Sequence, residues 1–358
     1  MEHNNILVIN PGSTSTKIAV YKHYTPLFLK NINHSIEKLR EFSCISDQYS
    51  FRKEIILREL DHAEIELDSI AIIIGRGGLV KPIESGVYEV NEIMRHDLMI
   101  GFLGEHASNL GGLIAYDMAK TIHGSKALIA DPVVVDELQD VARIAGHPEF
   151  KRHSIFHALN QKAIAKSYAH SHDKKYDELN LIVVHLGGGI SVGAHFKGRV
   201  IDVNNALDGE GPFSPERSGT IPAGQLANIC FSGKYTFDDI KKMIIGEGGL
   251  IAYLGTNDAY QVELMAKGGD VQAQLIQDAM SYQVAKIIGE MAVVLKGEVD
   301  AILLTGGIAN NSTVVNYIKN MVKFIAPVII YPGEDEMKAL AENAVRVLKG
   351  EIKPKIYE

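Results

Sequence analysis

The chain has 358 residues, 46% of them hydrophobic and 22% charged, with a formal net charge of −8. That length exceeds one comfortable hydrophobic core, so two domains are expected. The acidic balance and the lack of any Lys/Arg block argue against a nucleic-acid partner, which needs cations to neutralise phosphates. The two cysteines, Cys44 and Cys230, are far apart, form no C-x-x-C and read as unpaired thiols of a reducing compartment. The opening Met1-Glu2-His3-Asn4-Asn5 is too polar for a secretory leader. No apolar run approaches the ~20 residues of a membrane span. A cytoplasmic protein with no membrane partner is therefore expected.

In chain order, Ile6-Leu7-Val8-Ile9-Asn10 reads as a strand that ends at a Pro11-Gly12 turn. Four consecutive hydroxyls (Ser13, Thr14, Ser15, Thr16) and Lys17 follow, and an apolar strand resumes at Ile18. Backbone N–H groups, hydroxyls and one cation on a tight turn suit a polyphosphate. This is no Walker A loop, because no second glycine precedes Lys17 and a strand follows instead of a helix. Strands at Ser69–Ile74 and Ala127–Ala130 run into Gly75-Arg76-Gly77-Gly78 and Asp131-Pro132. A helix is expected from Ile155 to Tyr168, with Ser154 as its N-cap.

Leu181–Leu186 reads as a buried strand that enters Gly187-Gly188-Gly189-Ile190-Ser191. Val192–Phe196 then alternates, turns at Lys197-Gly198 and continues as Val200–Val203. The G-x-G-x-x-G spacing of a dinucleotide fingerprint fails, since Val192 stands at the third glycine. Asn205–Gly224 is a long Gly/Pro loop, a class usually functional or disordered. Cys230, between Ile229 and Phe231, reads as a small core residue. A long helix is expected at Asp278–Leu295. The strand Ala301–Leu304 leads into Thr305-Gly306-Gly307, which opens a helix. A terminal helix at Asp335–Leu348 begins with acids at its positive dipole end.

Strand, Gly/Ser turn, strand thus occurs twice, about half a chain apart, which suggests an internal duplication. The expected fold class is α/β: two duplicated domains, each a sheet flanked by helices, with a nucleotide in the cleft between them. The expected division is 1–152, joined by the terminal helix at 335–358, and 153–334. In order, Asn10-Pro11-Gly12-Ser13-Thr14-Ser15-Thr16-Lys17, His185-Leu186-Gly187-Gly188-Gly189-Ile190-Ser191 and Gly306-Gly307-Ile308-Ala309-Asn310-Asn311-Ser312 resemble the acetokinase family. That family belongs to the sugar kinase, actin and chaperone-ATPase superfamily, so the resemblance implies actin-like (ribonuclease H-like) domains. Pro215-Glu216-Arg217-Ser218-Gly219 and Pro332-Gly333-Glu334-Asp335-Glu336 resemble the family's butyrate and branched-chain fatty acid kinases.

A carboxylate kinase must bring together two anions, and arginine binds carboxylate and phosphate with a planar fork. Arg76 and Arg217 lie in glycine-rich loops and match the family's two active-site arginines. The resemblance further implies that His157, in a first helical turn, contacts the transferring phosphoryl group. It implies Asp131 at the site, and Ser13, Ser15, Lys17 and His185 along the phosphates. Gly187, Gly188, Gly189, Gly306, Gly307 and Asn310 would meet the nucleotide. Asn10 and one acid among Glu334, Asp335 and Glu336, with Glu336 favoured, match the magnesium neighbourhood. The implied cofactors are ATP/ADP and Mg²⁺, and the implied assembly is a homodimer or higher homo-oligomer.

A carboxylic acid has a pKa of about 4.3, so the nucleophile is already ionised and needs no general base. Asp131 is therefore read as orienting an arginine or a magnesium-bound water. Leu79, Phe156 and Phe213 are candidates to line an acyl pocket. His153 and His157 are spaced i, i+4, but no Glu completes a metalloprotease motif. The leading expectation is reversible phosphoryl transfer from ATP to butyrate or a similar short-chain or branched acid. Alternatives are acetate or propionate as acceptor, an actin-type ATP switch, or a sugar kinase, whose hydroxyl substrate gives the two arginines no task.

Overall fold

The computed structural model describes residues 3–358; Met1 and Glu2 of the polar opening segment lie outside the described residues. The chain divides into two compact units. The first runs up to Val135 and takes back Asp335–Glu358; the second is Asp136–Glu334.

The first unit is built on β1 (Asn5–Pro11), β2 (Ser15–Lys22), β3 (Thr25–Asn33), β4 (Ile70–Arg76), β5 (Val87–Glu89) and β6 (Lys126–Ala130). Their order is β3-β2-β1-β4-β6-β5. β3, β2 and β1 pair antiparallel, whereas β1, β4 and β6 pair parallel. Ile6, Leu7, Val8 and Ile9 are all buried, as an unbroken apolar run requires when both faces of a strand are covered. Helix Asn109–Thr121 packs on β4, and helix Glu336–Leu348 packs on β1.

The second unit uses β7 (Asn180–Leu186), β8 (Ile190–Phe196), β9 (Arg199–Val203), β10 (Ala301–Gly306) and β11 (Val328–Pro332). Read from β9, the order is β9-β8-β7-β10-β11. Two antiparallel pairings are again followed by two parallel ones. This repeats β3-β2-β1-β4-β6 strand for strand, so the duplication read from the two hairpins is present in the topology.

The unit boundary falls at 135/136, earlier than the 152/153 expected. The reason is visible in the intervening segment. The buried Glu137 carboxylate accepts from Lys162 Nζ and from the Val200 N–H, both at 2.8 Å. The Gln139 N–H bonds Ile201 O at 3.0 Å, and Arg152 bonds Asp202 at 2.9 Å. All these partners lie in the second unit.

Four local expectations change. The helix predicted from Ile155 starts at Ala158, with His157 and not Ser154 as N-cap. Upstream, Ile155 O is taken by the Ala206 N–H at 2.8 Å, which holds that stretch extended. The long helix begins at Val271 behind the Asp270 cap; the buried Gln277 interrupts the apolar stripe that would have revealed its first turns. The helix after Gly306-Gly307 is preceded by a 3₁₀ turn at Gly307–Asn310 and starts at Ser312, capped by Asn311. Cys230 is exposed, not a core residue, because helix Ala223–Cys230 buries none of its side chains.

The glycines after β4 serve close packing. A Cβ on Gly75 would overlap the Gly111 carbonyl, and one on Gly111 would overlap the Arg76 backbone. Strand and helix therefore meet backbone to backbone. Gly75→Ala is expected to lower stability by about 1–3 kcal/mol through overpacking, measured as a fall in the urea midpoint at unchanged slope.

Candidate functional site

In the first unit, the turn between β1 and β2 is braced from beneath by Arg52 of helix Tyr49–His62. Its guanidinium donates to Gly12 O (2.7 Å), Ser15 O (3.0 Å), Thr16 Oγ1 (3.1 Å) and Ser13 O (3.0 Å). Its remaining donors reach Gln48 Oε1. Arg52 is 1% exposed. Burial pulls its pKa to about 10, so it stays charged near neutrality. Behind it, His34 Nε2 lies 2.8 Å from Thr16 Oγ1. Burial and the neighbouring Arg52 charge push the His34 pKa to about 4, which keeps the ring neutral. The Ser13 and Lys17 side chains are exposed on this braced turn, and Ser15 is half-buried.

Three consecutive acids near the C-terminus do three different things. Glu336 Oε2 accepts from Asn10 Nδ2 at 2.8 Å, and its Oε1 pairs with Arg76 Nη2 at 3.1 Å. Asp335 caps its helix by accepting from the Lys338 N–H. Glu334 Oε2 lies 3.4 Å from His185 Nε2 in the second unit. Asn10, Arg76 and Glu336 therefore form one cluster. Asp131 is 3% exposed, with φ +39°. Its Oδ1 accepts from Ser85 Oγ (2.6 Å) and the Gly86 N–H (2.8 Å), which ties this carboxylate to that turn.

In the second unit, Arg217 lies across the Gly187–Gly189 turn, and a Cβ on Gly189 would overlap its guanidinium. Arg217 Nη1 donates to Ala206 O at 2.6 Å. Its buried Nε has no hydrogen-bond acceptor among the described residues, and burial pushes the guanidinium below its usual pKa. Ser214 Oγ donates to Gly188 O at 2.6 Å, docking the long loop on the same turn.

A cavity of about 370 Å³ opens beside it, lined by Gly187, Gly188, Gly307, Ile308, Asn310, Asn311 and Glu334. Asn257, Asp258, Tyr260 and Glu263 supply more of its wall. Gly306 is not among the lining residues; with φ +93° it backs onto Leu186, where a Cβ would collide with the strand. His157 is half-buried at the helix N-cap, one position before the first turn. Its ring stacks on that of His185 at 3.8 Å between centroids. His185 Nδ1 is 2.8 Å from Asn160 Oδ1. His153 is exposed. Phe156 is buried. Leu79 packs in the first unit's core and Phe213 in the second's.

Sequence reasoning missed Arg52, the Asn257–Glu263 wall and the partners of His157. Arg52 gives no local signal, being one charge in a charged helix. Asn257-Asp258 reads as an ordinary helix cap, which it also is.

Residues 149–331 match the family described as Acetokinase family. Butyrate kinase 1 of Clostridium acetobutylicum is 56% identical over 353 residues, covering 99% of each chain. Butyrate kinase 2 of the same organism is 55% identical over the same span. In three dimensions the chain is similar to Porphyromonas gingivalis acetate kinase, with a TM-score of 0.78 at 18% identity, covering 96% of this chain and 100% of that one. It is also similar to a propionate kinase of Francisella tularensis, with a TM-score of 0.75 at 20% identity, covering 96% and 99%. These two likenesses establish the fold, two actin-like α/β domains.

The His34 shift has a sign that can be measured. With a folded pKa of about 4 against 6.5, the unfolded chain binds the extra proton between those values. Stability is therefore full above pH 6.5 and falls as pH drops toward 4. His34→Gln keeps an acceptor for Thr16 but cannot titrate. It is expected to flatten this part of the profile of denaturation midpoint against pH.

Proposed function

We propose that this chain, which belongs to the acetokinase family, reversibly transfers the γ-phosphoryl group of ATP to the carboxylate of butyrate or a similar short-chain or branched fatty acid, giving ADP and an acyl phosphate. The observation that carries this reading is the 56% identity to a butyrate kinase across 99% of both chains. The geometry supports it through two arginines on glycine-rich segments, one of them with an unsatisfied buried donor.

We assign the roles as follows. The cavity beside Gly187, Gly188, Gly307 and Asn310 takes the nucleoside. Ser13, Ser15 and Lys17, on the turn that Arg52 braces, bind phosphate, as does the Gly187–Gly189 turn. Arg217 neutralises the transferring phosphoryl group, whose oxygens satisfy its remaining N–H. Arg76, oriented by Glu336 at 3.1 Å, binds the acyl carboxylate. His157 donates a hydrogen bond to an equatorial phosphoryl oxygen.

Asp131, committed to Ser85 and Gly86, shapes the loop after β6 and removes no proton. None needs removing, since a carboxylic acid is ionised at neutral pH. Catalysis is then positioning and charge neutralisation in a loose in-line transfer. Exclusion of water matters because acyl phosphates hydrolyse readily.

Magnesium fits the residues present. Asn10 Oδ1 and the Glu336 carboxylate are hard oxygen donors, and Mg²⁺ is held by one or two carboxylates together with water and phosphate oxygens. When bound, the ion offsets phosphate charge. The family resemblance supports a cytoplasmic homodimer or higher homo-oligomer. No helix among the described residues is long and apolar enough to cross a membrane.

Acyl phosphate formed from MgATP and trapped with hydroxylamine is expected to peak at butyrate or isobutyrate in a series from acetate to valerate. A peak at acetate would replace the proposed acceptor. Arg217→Ala is expected to lower kcat by about 10³-fold or more, the range of catalytic arginines in phosphoryl transfer. A loss below about tenfold in a folded variant removes Arg217 from that role.

A further inference from the structure

A chain of buried hydrogen bonds in the second unit ends on His157, and its direction can be worked out. Gln161 Nε2 lies 3.1 Å from the Ser191 carbonyl oxygen and 2.8 Å from Ser191 Oγ. A carbonyl oxygen only accepts, so the Gln161 atom facing it is the amide NH₂. Gln161 Oε1 therefore faces the other way, 2.9 Å from His195 Nε2. Being an acceptor, it requires the proton of His195 on Nε2. His195 is 0% exposed, and burial with the nearby Lys162 charge pushes its pKa well below the usual value, so the ring is neutral. His195 Nδ1 then carries a lone pair and accepts from the Tyr176 hydroxyl at 2.7 Å.

The other end follows by the same arithmetic. A hydroxyl has two acceptor sites and one proton. Ser191 Oγ accepts from Gln161 Nε2 at 2.8 Å and from the His157 backbone N–H at 3.4 Å. Its proton goes to the remaining neighbour, His157 Nδ1, at 2.9 Å. His157 Nδ1 is thus an acceptor, and the proton of the neutral ring sits on Nε2. The stack on His185 disfavours charge on both rings at once, because two imidazolium rings at 3.8 Å would repel.

The local sequence makes the relay possible. His157 and Gln161 are i and i+4 at the start of one helix, hence on one face. Ser191 and His195 share a face of β8 with Gly193 between them. A Cβ on Gly193 would lie 2.6 Å from Gln161 Oε1, so the strand leaves room for that side chain only as glycine.

We propose that Gln161, Ser191, His195 and Tyr176 are positioning residues that fix His157 as the Nε2–H tautomer, the form able to donate to a phosphoryl oxygen. This deepens the reading of His157 given above and rests on it. The relay selects the proton's place, whereas His157 makes the contact. Ser191 and Gln161 are buried and do not line the nucleotide cavity, so their effect should appear in turnover and not in substrate affinity.

The test uses full-length protein labelled with ¹⁵N-histidine, with His157 assigned by comparison with His157→Gln. The expected spectrum at neutral pH shows His157 as the neutral Nε2–H tautomer. In Ser191→Ala, the Nδ1–H form should appear. kcat should fall roughly 10- to 100-fold, as for lost outer hydrogen-bond partners, while KM for ATP and for butyrate stays within about twofold. Gln161→Glu keeps the shape but accepts from the Ser191 hydroxyl, so it should turn the chain round and populate Nδ1–H. It thereby provides a second reading if Ser191→Ala fails to fold.

An Nδ1–H or imidazolium His157 in the unaltered protein overturns the proposal. So does an unchanged tautomer in folded Ser191→Ala or Gln161→Glu. If the tautomers behave as stated but His157→Gln keeps full turnover, the relay stands and the assigned role of His157 falls.

Discussion

A guanidinium packed against a hairpin turn is the interaction on which the candidate residues of each unit depend. Each turn sits at the carboxyl end of a buried strand, β1 or β7. In the first unit Arg52 donates to three of the turn's carbonyls, those of Gly12, Ser13 and Ser15, and to Thr16 Oγ1 and Gln48 Oε1, so every donor is engaged. In the second, Arg217 lies on the glycine turn with Nη1 on Ala206 O and a buried Nε left over. Burying a cation is tolerable only where its donors are used. One arginine is complete within the protein, whereas the other buries an Nε–H with no acceptor among the described residues. The same residue type thus has all its donors engaged in one repeat and an unused N–H in the other.

The same division of labour runs through the acids at 334–336. Three adjacent carboxylates face three environments because the chain changes direction there. Gly333, with φ +82°, exchanges backbone hydrogen bonds with Gly306, and a helix begins at Glu336. Glu334 is left beside His185, Asp335 becomes a cap, and Glu336 enters the helix facing Asn10 and Arg76. A one-residue slip would exchange these roles. Glu336 is held between an amide, Asn10, and a guanidinium, Arg76.

Much of this was legible in the residues. The hairpin turns were readable because turn chemistry is local: Pro11-Gly12 and Gly187–Gly189 stand between runs of buried aliphatic residues. The duplication was readable because the same local pattern occurs twice. β3 was not, since its edge position leaves most of its side chains solvated. The glycines of Gly75-Arg76-Gly77-Gly78 were legible as glycines but not as packing residues, because the neighbour that demands them, Gly111, is remote in sequence.

By itself the sequence determined what short-range chemistry controls: the strands, their turns and the repeat. Only the tertiary structure decided which acid meets Asn10, that Arg52 braces the first turn, that Asp131 Oδ1 accepts from Ser85 and Gly86, and that Ser191 and Gln161 stand behind His157. Apart from Gln161, four positions from His157, each of these pairs residues tens to hundreds of positions apart. Hydrogen-bond direction and burial are set by whichever neighbours the fold supplies, and those neighbours leave no mark on the sequence around the residue they serve.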